Sequence, residues 1–236
     1  MIINHNVIND MNYFITHCFQ PICNLANKSI IGYEALLRDA TSPETSPITM
    51  FKEADKIGHR NNLDRSSIKV AIDKFIDESS LLFVNIFPST ILKEDFLSWW
   101  DTNIPRSASI VIELSEDESI KDWKEINIIL EELRLVGVKV AVDDMCSGYS
   151  SFQHWIELKP EFIKLDSYFI KGLSINPQKQ KIVKSLMDIF YDTTKVIAEG
   201  VENIEDLYYI EKLGIPYGQG YYLGRPSHKN NMITIG

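Results

Sequence analysis

The stretch that decides the fold is VAVDDMCSGYSS, residues 140–151. An apolar run ends in two adjacent acids, Asp143 and Asp144, followed by small residues, a glycine and a tyrosine. A run that is apolar throughout reads as a strand covered on both faces, as in a parallel sheet flanked by helices. Neighbouring strand residues point to opposite faces, so both acids address one site only where the strand turns. Two crowded carboxylates repel unless one is protonated or a cation lies between them. The pair therefore marks the end of a strand and raises the question of what it holds.

Working outward, short β-rich runs recur: FITHCF, SIIGYEAL, LLFVNIF, SIVIEL, FIKLD, KVIAEG and the region around YGQGYYL. Helical patterns lie between most of them. WKEINIILEELRLVG sets Ile126, Leu130 and Leu133 on one face, with Gly137 closing the helix. QKIVKSLMDIFY sets Ile182, Leu186 and Phe190 similarly, and NIEDLYYIEKLG opens on Asn203 as N-cap and closes at Gly214. Two helical patterns occupy residues 39–80, so an inserted extra helix is expected between the second and third strands. About eight strands alternating with helices predict a (β/α)8-type barrel. The runner-up, an open doubly wound sheet, lacks a GxGxxG after an early strand.

The chain has 236 residues, 44% hydrophobic and 24% charged, within reach of one large domain. Its net charge of −9 leaves no broad basic surface for a nucleic-acid polymer, so a small anionic substrate would need local cations. Three cysteines without CxxC spacing and five scattered histidines argue against a disulfide framework or a zinc site. The start, MIINHNVINDMNY, has no basic segment followed by an apolar core, and no apolar stretch is long enough to span a bilayer. A soluble cytoplasmic protein without membrane partners is expected.

Polar residues gather at the carboxyl ends of the strands. Glu34 follows SIIGY, Asn85 ends LLFV, Glu113 ends SIVI, Lys164 and Asp166 close FIKLD, Glu199 ends KVIA, and Gln219 lies in the last strand region. In a barrel these ends converge on the face where catalytic loops are built. Several carboxylates with one carboxamide oxygen make a hard-oxygen site suited to Mg2+ or Mn2+. Two such ions can activate water for attack on a phosphoester. Asp143 and Asp144 are therefore expected to hold metal, and Lys164 to orient water or offset phosphate charge.

These stretches are similar to the EAL-domain family of cyclic di-GMP phosphodiesterases. FQPICNLANKSIIGYEALLR (19–38), VNIFPS (84–89), IELSE (112–116), VDDMCSGYSS (142–151), FIKLD (162–166), VIAEGVE (196–202) and QGYYLGRP (219–226) fall in the family's order. The resemblance implies a modified TIM barrel whose first strand runs antiparallel to the others, occupying 13–236 behind a 1–12 extension. It looks like a stand-alone EAL protein, with no GGDEF or sensory domain. Glu34, Asn85, Glu113 and Asp143 match the ligands of one metal, and Asp143 with Asp144 those of a second. Lys164, Glu199 and Glu34 match the catalytic positions, and Glu116 the acid anchoring the loop after Asp144. Gln20, Leu36, Arg38, Asp166, Glu202, Gln219 and Pro226 match positions around the bound dinucleotide, Arg38 pairing with phosphate and Pro226 bordering a guanine. The implied reaction is hydrolysis of cyclic di-GMP to linear pGpG with Mg2+ or Mn2+, in a homodimer. The alternative is a catalytically weak EAL domain acting as a cyclic di-GMP receptor or protein-interaction module.

One departure stands in the opening stretch. The family usually reads DDFGTGYSS, and this chain reads DDMCSGYSS, with Met145 for Phe, Cys146 for Gly and Ser147 for a small residue such as Thr. If the loop needs positive φ at Cys146, strain is expected there.

Overall fold

The computed structural model describes residues 15–42, 44–75, 79–106, 108–115, 118–120, 122–145 and 152–228. Eight strands close into a barrel in chain order. They are β1 (Ile15–Asn24), β2 (Ile30–Asp39), β3 (Leu81–Ile86), β4 (Ile110–Leu114), β5 (Lys139–Met145), β6 (Phe162–Leu165), β7 (Lys195–Ala198) and β8 (Tyr217–Gly218). β1 pairs antiparallel with β2, Gln20 opposite Glu34, and antiparallel with β8, Cys23 opposite Gly218. All other neighbours are parallel. The expected barrel with its reversed first strand is what forms, and the open sheet is excluded.

Helices cover the outside. α1 (Pro47–Lys56) and α2 (Arg60–Lys74) are the expected insertion between β2 and β3. α3 (Pro88–Ile91) and α4 (Phe96–Asn103) precede β4; α5 (Trp123–Leu135) precedes β5, and α6 (Phe152–Leu158) precedes β6. α7 (Ser167–Ile170) and α8 (Pro177–Phe190) precede β7, and α9 (Ile204–Lys212) precedes β8. Their starts follow from local chemistry. Ser46, Asp122, Asn176 and Asn203 each accept a hydrogen bond from a first-turn N–H, and Pro begins α1 and α8 where its missing donor costs nothing.

α5 buries Ile126, Leu130 and Leu133 as its spacing predicts. α8 corrects the expectation, burying Val183, Leu186 and Phe190 while Ile182 is 46% exposed. The helix carries two apolar stripes about 100° apart. The sheet covers the one containing Val183, and leaves Ile182 and Ile189 outside.

Inside the barrel, residues two apart along each strand form stacked layers. The lower layer is apolar: Ile22, Phe83, Val111, Ala141, Phe162 and Ile197 form one buried cluster, with the Phe83 and Phe162 rings edge-to-face at 5.2 Å. The upper layer is polar, and it is the candidate site.

Candidate active site

Two positions further along the same strands stand Asn85, Glu113, Asp143, Lys164 and Glu199, with Glu34 on β2. Gln20 joins from β1, two positions before Ile22, because that strand runs in reverse. Gln219 follows β8.

Lys164 is the hub. It is 1% exposed, and its Nζ lies 2.9 Å from Glu199, 3.0 Å from Asp143, 3.2 Å from Glu113 and 3.3 Å from Glu34. Burial works against its charge, but Asp143, Glu113, Glu199 and Glu34 override it and hold the amine protonated well beyond its ordinary range. Burial would raise Glu34 too. Lys164, Gln219 at 2.6 Å and Asn85 at 3.1 Å instead keep it below the usual carboxylate range. Gln219 also donates to Gln20, whose amide donates to the Gly224 carbonyl.

The remaining acids are short of cations. Burial, reinforced by neighbouring carboxylates, drives Glu113 and Glu199 well above the ordinary carboxylate range and pushes Asp144 up to about 6. Among the described residues, both oxygens of Glu113 and Oδ1 of Asp143 are buried with no aligned hydrogen bond, their ion-pair contacts with Lys164 apart. Oxygens of Asp143, Asp144 and Glu199 lie within 4.8 Å of one another. Hard oxygens in that arrangement fit divalent ions such as Mg2+ or Mn2+, whose charge would favour the ionised carboxylates.

The adjacent acids reach one site through a bulge. Val142 pairs with Ile163 and Met145 with Leu165, so Asp143 and Asp144 together oppose the single residue Lys164. Asp144 has φ 44°, in the left-handed region where Asp is tolerated better than most side chains. Cys146 and Ser147 lie outside the described residues, as does Glu116.

Other expected residues separate. Leu36 and Arg38 follow Glu34 on β2 and line a neighbouring cavity. Arg38 is held by donating to the Leu37 carbonyl at 2.7 Å. Asp166 caps α7, accepting from the Tyr168 N–H, and Glu202 pairs with Lys171 at 2.9 Å on the rim, 46% exposed. Pro226 lies half-buried beyond Gly224. The closing turn at Gly220 has no room for a side chain, because a Cβ there would meet Val201 N at 2.2 Å. Two buried residues carry no sequence signal of a role. Asp64 is embedded in the pattern of α2, and His17 reads as an ordinary strand residue.

The family model for the EAL domain matches residues 12–226. This chain belongs to the EAL domain family. The EAL domain is 31% identical over 225 residues to the probable cyclic di-GMP phosphodiesterase PdeI of Escherichia coli, covering 88% of this chain and 28% of that protein. It is 29% identical over 228 residues to the cyclic di-GMP phosphodiesterase PdeA of Borreliella burgdorferi, covering 91% of this chain and 34% of the relative. The chain thus spans about a third or less of these curated relatives. Among solved structures, Klebsiella pneumoniae BlrP1 in complex with manganese and cyclic di-GMP superposes with TM-score 0.81 at 28% identity, over 90% of this chain and 56% of that one. The cyclic di-GMP-bound standalone EAL protein of Vibrio cholerae gives 0.78 at 26%, over 93% and 97%. No helix among the described residues is long and apolar enough to cross a membrane.

Proposed function

We propose that this EAL domain is a metal-dependent phosphodiesterase that hydrolyses cyclic di-GMP to linear pGpG. The observation that carries it is the charge imbalance at Lys164: one buried ammonium faces several carboxylates whose orphaned oxygens need further cations. Glu34, Asn85, Glu113 and Asp143 would hold one divalent ion, and Asp143 with Asp144 a second. Bound ions supply Lewis acidity, lowering the pKa of water and offsetting phosphoryl charge. Asn85 donates its Nδ2 to Glu34, which leaves Oδ1 as its ligating atom. Lys164 orients the attacking water and holds Glu199 in place to take its proton. Gln219 and Asn85 fix the Glu34 carboxylate from two sides, so its oxygens need no reorganisation during the reaction. Arg38 pairs with a substrate phosphate, the geometry a guanidinium favours, while Gln20, Leu36, Asp166, Glu202 and Pro226 border the dinucleotide. Glu116 anchors the loop after Asp144.

We also propose that residues 13–236 act as one phosphodiesterase domain, in the cytoplasm, as a homodimer. Tyr168, Ile182, Ile189 and Tyr191 are large and exposed around α7 and α8, which supports pairing there. Light scattering that gives a monomer at micromolar concentration would remove the dimer.

The deciding experiment is incubation of purified protein with cyclic di-GMP and Mg2+ or Mn2+, followed by chromatography. Linear pGpG is expected, with little in chelator or in Ca2+, whose longer bonds and looser geometry misplace the water. Tight binding without turnover in either metal would move the protein to the receptor reading.

A further inference from the structure

Asn85 stands where the barrel wall begins to part. The β2–β3 ladder runs from Gly32 opposite Leu81 to Ala35 opposite Val84 and ends there. On its other side β3 stays paired with β4 as far as Ile86 opposite Leu114, and the Ile86 carbonyl then accepts the Ser115 N–H at 3.1 Å. The sheet therefore seats Asn85 from one side only. A carboxamide ligates through a single oxygen, so its aim depends on how firmly the groups around it are held.

Helix α2 supplies the other side. Asp64 is 2% exposed, and its Oδ2 accepts the N–H of Phe87 at 2.9 Å, two residues beyond Asn85. Arg60, four residues earlier on the same face of α2, lays its guanidinium over the Phe87 ring at 3.9 Å. Asn61 accepts the Thr90 hydroxyl at 3.1 Å. From the β4 side, Glu118 accepts the Ser89 N–H at 2.7 Å and lies 3.5 Å from Arg60. Two acids on different elements thus hold two backbone N–H groups of one short segment. Keeping an acid in the core is costly, and packing alone does not call for it. What it secures here is the backbone that follows a proposed metal ligand.

We propose that Asp64 and Glu118 are positioning residues that brace the segment from Phe87 to Ser89 and so aim the Asn85 carboxamide at its divalent ion. This rests on the metal-dependent reading above. Each acid acts through the backbone of that segment, and neither belongs to the group of carboxylates around Lys164.

The test is calorimetric titration of the purified protein with Mn2+ in the absence of substrate. Asp64→Ala should weaken Mn2+ binding about tenfold, the low end of the 10–100-fold loss typical when a ligand's supporting partner is removed. Asp64→Asn keeps an acceptor for the Phe87 N–H and should retain most of the affinity. In Asn85→Ala the brace has nothing left to aim, so adding Asp64→Ala to that variant should change little. Unchanged affinity in Asp64→Ala, or a loss that simply adds to that of Asn85→Ala, overturns the proposal. If Asp64→Ala does not melt cooperatively, Glu118→Ala carries the test, because its side chain is partly exposed. The same non-additive loss is expected there, and unchanged affinity again overturns the proposal. Wild type that binds no Mn2+ sinks the metal-dependent reading and this one together, whereas wild type that binds it no better than Asp64→Ala removes the brace alone.

Discussion

The barrel interior holds two layers that differ in everything except burial. Phe83 and Val111 are 0% exposed, and so is Glu113, while Lys164 at 1% is as deep as Phe162 directly below it. Both layers arise from the same strands, two residues apart, on the same inward face. The lower one is held by apolar contact, the upper one by an ammonium set among carboxylates. Burial alone therefore does not separate core from site. What separates them is whether the buried groups are complete without an added partner. The lower layer is, and the upper layer is not.

Cutting each layer should give opposite signatures. The largest effect is expected from Glu34→Ala. It removes a proposed metal ligand, and turnover should fall by more than the 10–100-fold typical of residues that merely support a ligand. Its melting temperature should stay near wild type, and assays of both quantities would break the contrast if stability fell and turnover did not. Next comes Lys164→Met. A lost charge-stabilising donor costs about 10²–10³ in kcat, and the loss should exceed any change in KM. In chelator, urea unfolding should show about 3–5 kcal/mol of lost stability, because the acids are left facing one another, and Mg2+ should return part of it. Phe162→Ala tests the lower layer from the other side. A cavity there costs about 3–5 kcal/mol, with turnover per folded molecule retained at low temperature. A variant that instead lost turnover while keeping its stability would merge the two layers into one.

The smallest effect sharpens the contrast outside the barrel. Burial raises Asp64 to about 7, even though it accepts the Phe87 N–H at 2.9 Å. Between about pH 4 and 7 the folded state then holds a proton that the unfolded state releases. Its stabilising contribution is full below pH 4 and is lost as pH rises through 7, with a slope of at most about 1.4 kcal/mol per pH unit. Asp64→Asn keeps the acceptor and should flatten that decline in denaturation curves taken across the range. Asp206 has the opposite sign. Burial would raise it, but N–H groups of Ser174 and Gly172 and the Asn203 amide hold it low. Its contribution disappears only as pH falls through the acidic range.

Much of this was legible in the sequence, for a reason the layers make plain. Polar residues at so many strand ends leave a signal that neither capping nor solvation produces, and Glu34, Asn85, Glu113, Asp143, Lys164 and Glu199 do converge. Other features are set by tertiary packing. Ile182 and Val183 are both apolar, and only the angle at which α8 meets the sheet decides which is buried. The conformation of Asp144 depends on a bulge against β6, which no local pattern announces. His17 and Asp64 carry no motif, and their burial follows only from the packing of α2 against β1 and β3.

The reversed first strand has a consequence for the order in which the molecule is made. Gln20 meets Gln219 across 199 residues of chain and Gly224 across 204, while Phe19 and Ser227 exchange backbone hydrogen bonds. Every other seam of the barrel joins strands that are neighbours in the sequence. A nascent chain can therefore zip strand by strand from β1 onward, yet Glu34 lacks its Gln219 clamp until the segment after β8 has left the ribosome. Closing so distant a seam is also the slow step expected of a topology with long-range pairing. The Gln219 clamp on Glu34 is thus completed last, and a partly synthesised barrel holds its acids unclamped.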